Sequence, residues 1–223
     1  MTFSLVARCP DTGMFGMVIS SSSPAVAARC SHVRARVGVV ASQNVTDPGL
    51  GPIILDRMAQ GLPAGQALRV VTDGRPHISF RQLLVVDRQG GTALWSGDGV
   101  LGVWAAVEGV DCAAGGNLLA NPDVPAAMVA AFAATTGHLA DRLMTTLEAG
   151  LAAGGEAGPV HSAGLKVVDR LDWPLVDLRV DWSDNPIKDL RALWTIYEPQ
   201  MQAYVDRATN PGAAPSYGVP GDR

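Results

Sequence analysis

Met1-Thr2-Phe3-Ser4-Leu5-Val6-Ala7-Arg8, followed by the turn Cys9-Pro10-Asp11-Thr12-Gly13 and the run from Met14 to Ile19, is the stretch on which the reading of the fold turns. The first eight residues read as a strand that starts at once. The Pro-Asp-Thr-Gly sequence turns the chain, and a second apolar run ends in Ser20-Ser21-Ser22-Ser23. A free terminus is ordinarily frayed, so a terminus stitched into a hairpin is an unusually rigid place to hold a side chain.

Thr2 occupies that place. Removal of Met1 would free an α-amine on the residue that carries the hydroxyl. Such an amine has a reference pKa of about 8, so roughly a tenth of it is an unprotonated base at neutral pH. Nucleophile and general base then sit on one residue, the N-terminal threonine form of nucleophilic catalysis. If Met1 stays attached, the nitrogen of Thr2 is an amide without a basic lone pair. Many chains begin Met-Thr with no such role, and the hairpin is what gives the pair weight.

Composition limits the alternatives. The chain has 223 residues, 48% hydrophobic and 17% charged, with a net charge of −4. That is enough apolar material for one core, and the scattered basic residues give no nucleic-acid footprint. No stretch reaches the roughly 18 apolar residues of a bilayer span, and no signal-peptide pattern is read at the front. Cys9, Cys30 and Cys112 are widely spaced and odd in number, which fits reduced thiols in a cytoplasm better than a disulfide framework. Cys30-Ser31-His32 lacks the spacing and second pair of a zinc site. The expectation is no metal, no cofactor, no nucleic acid and no membrane.

Further along, Pro24 to Cys30 reads as a loop or short turn. Val37 to Val45 is an apolar run closing in polar groups, a strand buried on both faces. Helices are expected from Pro52 to Gly61 and from Pro63 to Asp73-Gly74. Strands are expected over Ile78 to Asp87, Thr92 to Ser96 and Val103 to Ala114. Asn121-Pro122 reads as an N-cap with a first-turn proline, opening a helix that stops at Gly137. Leu139, Leu143, Leu147 and Leu151 form a helical stripe. Strands follow at Ser162 to Asp169 and Leu175 to Trp182, then a helix from Pro186 that Pro199 kinks or ends. One domain is expected over 1–206, with 207–223 a tail that is either an extended arm or disordered. Hairpins alternating with paired helices predict an α+β fold of mostly antiparallel sheets covered by helix layers.

Several stretches together carry a resemblance. Thr2-Phe3-Ser4-Leu5-Val6-Ala7-Arg8, Ala41-Ser42-Gln43, Gly116-Asn117-Leu118-Leu119, Val176-Asp177-Leu178-Arg179-Val180-Asp181 and Pro215-Ser216-Tyr217-Gly218-Val219-Pro220-Gly221-Asp222 span nearly the whole chain. The chain resembles the N-terminal-nucleophile (Ntn) hydrolase superfamily and, more closely, an uncharacterised bacterial family of that superfamily, a domain of unknown function. The resemblance implies a four-layer αββα Ntn-hydrolase-like sandwich and, by analogy, amide-bond hydrolysis. It implies no particular substrate.

Under that reading Thr2 is the nucleophile, and Asn117, at a strand end, is a donor to the oxyanion or else simply a turn residue. Substrate contacts are assigned to Ser22, Gln43, Ser162 and Arg179. The competing roles are strand-end serines, a loop-bonding glutamine and a surface charge ladder of Asp177, Arg179 and Asp181. Lys166 is the one lysine placed to be weighed as a proteasome-like partner, and it comes from the wrong part of the chain. The substrate is expected to be a small amide or peptide-like molecule, and the protein a homo-oligomer. The alternative is a non-catalytic Ntn-fold module that binds a ligand or assembles with itself.

Overall fold

The computed structural model describes residues 1–221. The fold mixes helices with two antiparallel sheets. The larger sheet takes β1 (Thr2–Arg8), β2 (Phe15–Ser21), β7 (Ala105–Gly109), β8 (Cys112–Asn117), β9 (Ser162–Val168) and β10 (Val176–Val180), in the order β10-β9-β2-β1-β8-β7. The smaller takes β3 (Ser31–Arg34), β4 (Gly38–Asn44), β5 (Arg81–Asp87) and β6 (Thr92–Ser96), in that order. The front of the chain is therefore a central strand, paired on one side with β2 and on the other with β8.

Period-two alternation sorts the apolar residues into three clusters. Phe3, Leu5 and Ala7 of β1 pack with Met128 and Phe132 of α4 (Val124–Ala134), Leu143 and Leu147 of α5 (Leu139–Ala152), and Leu190 and Trp194 of α6 (Pro186–Tyr197). Val6, Met17 and Ile19 point the other way and meet Val39, Ala41, Leu84 and Val86 of the smaller sheet. The outer face of that sheet, with Val40, Leu83 and Val85, packs on Ile54 and Met58 of α2 (Leu50–Ala59) and Leu68 and Val71 of α3 (Ala64–Thr72). The unbroken apolar runs of β4 and β5 are thus explained, since both faces of each strand are buried.

Local chemistry shifts several boundaries. Val26–Cys30 is a short helix, α1, not a loop. It lies against β9 because residue 164 is glycine: a Cβ there would stand 2.3 Å from the Cβ of Ala27. The expected strand from Val103 to Ala114 is two strands, β7 and β8, turned at Val110-Asp111, where Asp111 adopts φ 56° without a glycine. Ile78–Phe80 is a 3₁₀ turn ahead of β5. Asn121 does not cap α4; its Oδ1 accepts from Asp123 N at 3.0 Å, and the helix begins at Val124 with Pro125 in its first turn. Leu151 leaves the stripe of α5 and is exposed. Past Tyr197 a 3₁₀ turn carrying Pro199 leads into α7 (Met201–Thr209), which runs across the expected boundary at 206/207. Arg207 donates to the carbonyls of Pro215 (3.2 Å) and Ser216 (3.1 Å), and its guanidinium lies over the Tyr217 ring.

Candidate active site

At one end of the space between the sheets, the inward-facing residues change from apolar to polar. On β1 the sequence along that face is Val6, Ser4, Thr2; on β2 it is Ile19, then Ser21; on β8, Ala113, Gly115, Asn117. The register sets a row across four strands. Thr2 pairs with Asn117, Ser21 pairs with Ser162, and the Phe3–Ser20 pair places Thr2 beside Ser21. Directly opposed side chains on one face lie about 5 Å apart at Cβ, so this register delivers contact.

Thr2 is only 5% exposed, although it is the second residue of the chain. Its hydroxyl donates to the Met1 carbonyl and lies 3.5 Å from Ser21 Oγ. Ser21 Oγ donates to the same carbonyl at 2.5 Å and is itself contacted by Ser23 N (3.1 Å) and Ser23 Oγ (2.8 Å). The carbonyl of the Met1–Thr2 peptide bond, next to the Thr2 hydroxyl through the chain itself, is thus also bonded by a second hydroxyl.

Behind the row lies a buried amide network. Ser4 Oγ donates to Gln43 Oε1 at 2.7 Å. Gln43 Nε2 donates to Gln82 Oε1 at 2.9 Å and to the Gly115 carbonyl at 3.2 Å. Gln82 Nε2 donates to Ser96 Oγ and the Gly116 carbonyl, both at 3.2 Å. Asn117 Nδ2 donates to Gln82 Oε1 at 3.3 Å, while Asn117 Oδ1 is buried with no hydrogen-bond partner. A buried acceptor left open beside Thr2 is suited to a donor that arrives later, such as an ammonium or an amide N–H.

Glu156 escaped the reading of the sequence. It is 5% exposed, and both its carboxylate oxygens accept from Ser22 N, at 3.1 and 3.2 Å. Burial pushes its carboxyl up to about 7, against the opposing pull of the Met1 amine and of its hydrogen bonds from Ser22. The one hint in the sequence is compositional: a single carboxylate within the small-residue segment Gly154-Gly155-Glu156-Ala157-Gly158.

The expected residues divide accordingly. Thr2, Asn117 and Gln43 converge. Ser22 reaches the site through its bonds to Glu156. Ser162 lies in the row, but its hydroxyl is committed to the Ser23 carbonyl (2.6 Å) and Val26 N (3.2 Å), where it ties the end of β2 to α1. Arg179 is not brought to the row. It sits on β10, three strands from β1 and so roughly 14 Å away, paired with Asp181 at 3.1 Å. Lys166 pairs with Asp177 at 3.0 Å, further along β9.

A cavity of about 260 Å³ adjoins Glu156, with Leu151, Gly158, Val160 and Ile187 in its wall. A larger one of about 510 Å³, lined by Met14, His138, Trp173 and Met201, lies at the far end of the β1–β2 hairpin. No cluster of residues suited to a metal ion occurs among the described residues, and none of their helices is long and apolar enough to cross a membrane.

Comparison with known proteins gives a family. A protein-family model described as a family of unknown function (DUF1028) matches residues 2–190. A crystal structure of a Silicibacter pomeroyi protein bearing the same family designation is similar at TM-score 0.82 and 29% identity, covering 88% of this chain and 85% of that one. Anbu (ancestral beta-subunit) from Yersinia bercovieri is similar at TM-score 0.40 and 11% identity, covering 91% and 97%. An Anbu mutant from a Hyphomicrobium strain is similar at TM-score 0.41 and 10% identity, covering 92% and 97%. No curated protein matches the chain.

Proposed function

The chain belongs to the DUF1028 family, whose function is unknown, and we propose that it is an Ntn-type amidohydrolase acting on a small amide or peptide-like bond through Thr2. The observation that carries this reading is the buried Thr2 hydroxyl at the front of a central strand, beside a Ser21 hydroxyl that donates to the carbonyl of the Met1–Thr2 bond. The same reading takes the three apolar clusters as the seams of a helix–sheet–sheet–helix stack, the αββα sandwich of the Ntn superfamily.

The reaction needs the Met1–Thr2 bond broken first. The amine of Thr2 then takes the proton from its own Oγ as Oγ bonds to the substrate carbonyl carbon. Ser21 Oγ donates to the carbonyl oxygen as negative charge gathers there, the role it already performs toward the Met1 carbonyl. The proton passes from the Thr2 ammonium to the leaving nitrogen, the C–N bond breaks, and an ester on Thr2 remains. Water, giving its proton to the same amine, splits the ester and returns the hydroxyl. Asn117 Oδ1, unpartnered across the strand, is the acceptor that orients the ammonium. Gln43 and Gln82 hold Asn117 and Ser4 from behind rather than touching substrate.

We place this activity in the cytoplasm, in keeping with three buried free thiols, and in a homo-oligomer. The test is an amidase screen on protein shown by intact mass to begin at Thr2. Thr2→Ser keeps measurable turnover and Thr2→Ala loses at least about 10³-fold. Equal activity of the two variants would end the nucleophile reading and leave a non-catalytic ligand-binding or self-assembling module.

A further inference from the structure

The space ahead of Thr2 has room in the sheet for one residue. β1 lies between β2 and β8, and the registers on the two sides set Met1 level with Ser22 and with Leu118. One step further out, the position is already filled. Glu156 forms an antiparallel bridge to Leu119, the continuation of β8, and its carboxylate accepts from Ser22 N, at the continuation of β2. Ala157 N donates to the Leu118 carbonyl, and Ala120 N to the Gly155 carbonyl, both at 3.0 Å, so the 155–157 segment is firmly laced in. Glu156 thus stands on the line of β1 and closes it.

Met1 occupies the place between that carboxylate and Thr2 and is 38% exposed. Its carbonyl is held by the hydroxyls of Thr2 and Ser21. Its amine is near enough to Glu156 for its positive charge to act on that carboxylate. Its side chain runs over Gly158, where even an added Cβ would stand 3.7 Å from the Met1 Cε and 3.9 Å from its Sδ. Gly158 also borders the 260 Å³ cavity, whose wall joins Leu151, Val160 and Ile187 to Asp184 and Lys188 at its rim.

We infer that the substrates of this site are α-aminoacyl amides: one amino-acid residue with a free ammonium and an unbranched or medium-sized apolar side chain, joined through its carbonyl to a leaving amine. This rests on the Thr2 reading and narrows it. Release of Met1 empties a one-residue slot, and the ester formed on Thr2 Oγ places an aminoacyl group back in nearly the same space. Glu156 receives the substrate ammonium, Ser21 the carbonyl oxygen, and the cavity beside Gly158 the side chain. A blocked or longer acyl chain meets Glu156 and the 155–157 segment in its path. The balance is that of hydrolysis: the aminoacyl C–N bond breaks, a C–O bond to Thr2 forms and is then split by water, and a free amino acid and an amine leave.

The experiment uses protein beginning at Thr2, with two fluorogenic anilides of methionine, one with a free amine and one N-acetylated, and a reactive β-lactone as an independent probe of the Thr2 hydroxyl. The free-amine anilide is cleaved and the acetylated one at least about 100-fold less well in kcat/KM. Glu156→Gln removes a charge-assisted contact and raises KM about 10- to 100-fold with a smaller change in kcat. Glu156→Asp recovers part of it, with folding of both variants checked by their melting temperatures. Thr2-dependent cleavage of both anilides alike would overturn the aminoacyl assignment and leave the nucleophile intact. So would cleavage of neither while the lactone acylates Thr2. No cleavage together with no acylation of Thr2 would take down the hydrolase reading as well.

Discussion

Glu156→Gln provides a stability test that needs no substrate. Burial lifts the Glu156 carboxyl from 4.5 to about 7, so folding favours its neutral form. A raised folded-state value makes a contribution that is fully present below the unfolded value, near pH 4.5, and is lost as pH rises through 7. At 1.36 kcal/mol for each unit, ionising this buried group costs the folded protein about 3 kcal/mol by pH 8. Glutamine keeps an acceptor for Ser22 N and carries no charge, so the variant escapes that cost. The other groups near the carboxylate, the terminal amine and the Asp184 and Lys188 of the adjoining cavity, are common to both proteins. Urea unfolding at pH 4.5 and pH 8 reads the effect. With m of about 2–3 kcal/mol/M, the midpoint of Glu156→Gln relative to the parent rises by about 1–1.5 M between the two pH values. Parallel behaviour at both pH values, or a variant that loses ground at pH 8, would refute the placement of a buried carboxylate ahead of β1.

Three further outcomes are expected. Gln43→Met strands the buried Ser4 Oγ and removes a donor to the Gly115 carbonyl, which costs about 1–3 kcal/mol in urea unfolding; a loss under about 0.5 kcal/mol would mean that water serves the Ser4 hydroxyl. Gly164→Val drives a side chain into Ala27 and lifts α1 from β9, for a loss of about 1–3 kcal/mol seen as a lower melting temperature; an unchanged melting temperature would show that α1 is free to move. Cys9, Cys30 and Cys112 are buried, and burial raises Cys30 above its usual value and Cys112 to about 11, so an aromatic disulfide reagent at pH 8 finds no fast thiol until the protein is unfolded. Rapid reaction of one thiol in the folded protein would contradict its burial.

The elements with strong local signals were legible in the sequence. The first hairpin has its turn residues and two apolar runs, and β5 has four consecutive apolar residues that only a doubly covered strand explains. The turn at Val110-Asp111 was not legible, because an aspartate takes the positive φ that a glycine would have advertised. β3 follows α1 directly at Ser31, with no breaker between them. For the site, the polar end of each strand could be read one strand at a time, which brought out Thr2, Gln43, Asn117 and Ser162. What the sequence withholds is the register that sets Thr2 beside Asn117, since β1 and β8 are joined by a long connection and paired only by tertiary packing. Arg179 resembled a site residue because its strand alternates well, yet sheet order removes it from the row. Glu156 belongs to no periodic element, and its meaning comes only from the gap it fills.

The most direct test of the account is peptide mapping of the protein purified from its native cell and treated with a β-lactone. The account predicts an N-terminal peptide that begins at Thr2 and carries the added acyl group on that residue. A peptide that still begins at Met1, or an adduct on any other side chain with Thr2 untouched, would contradict it.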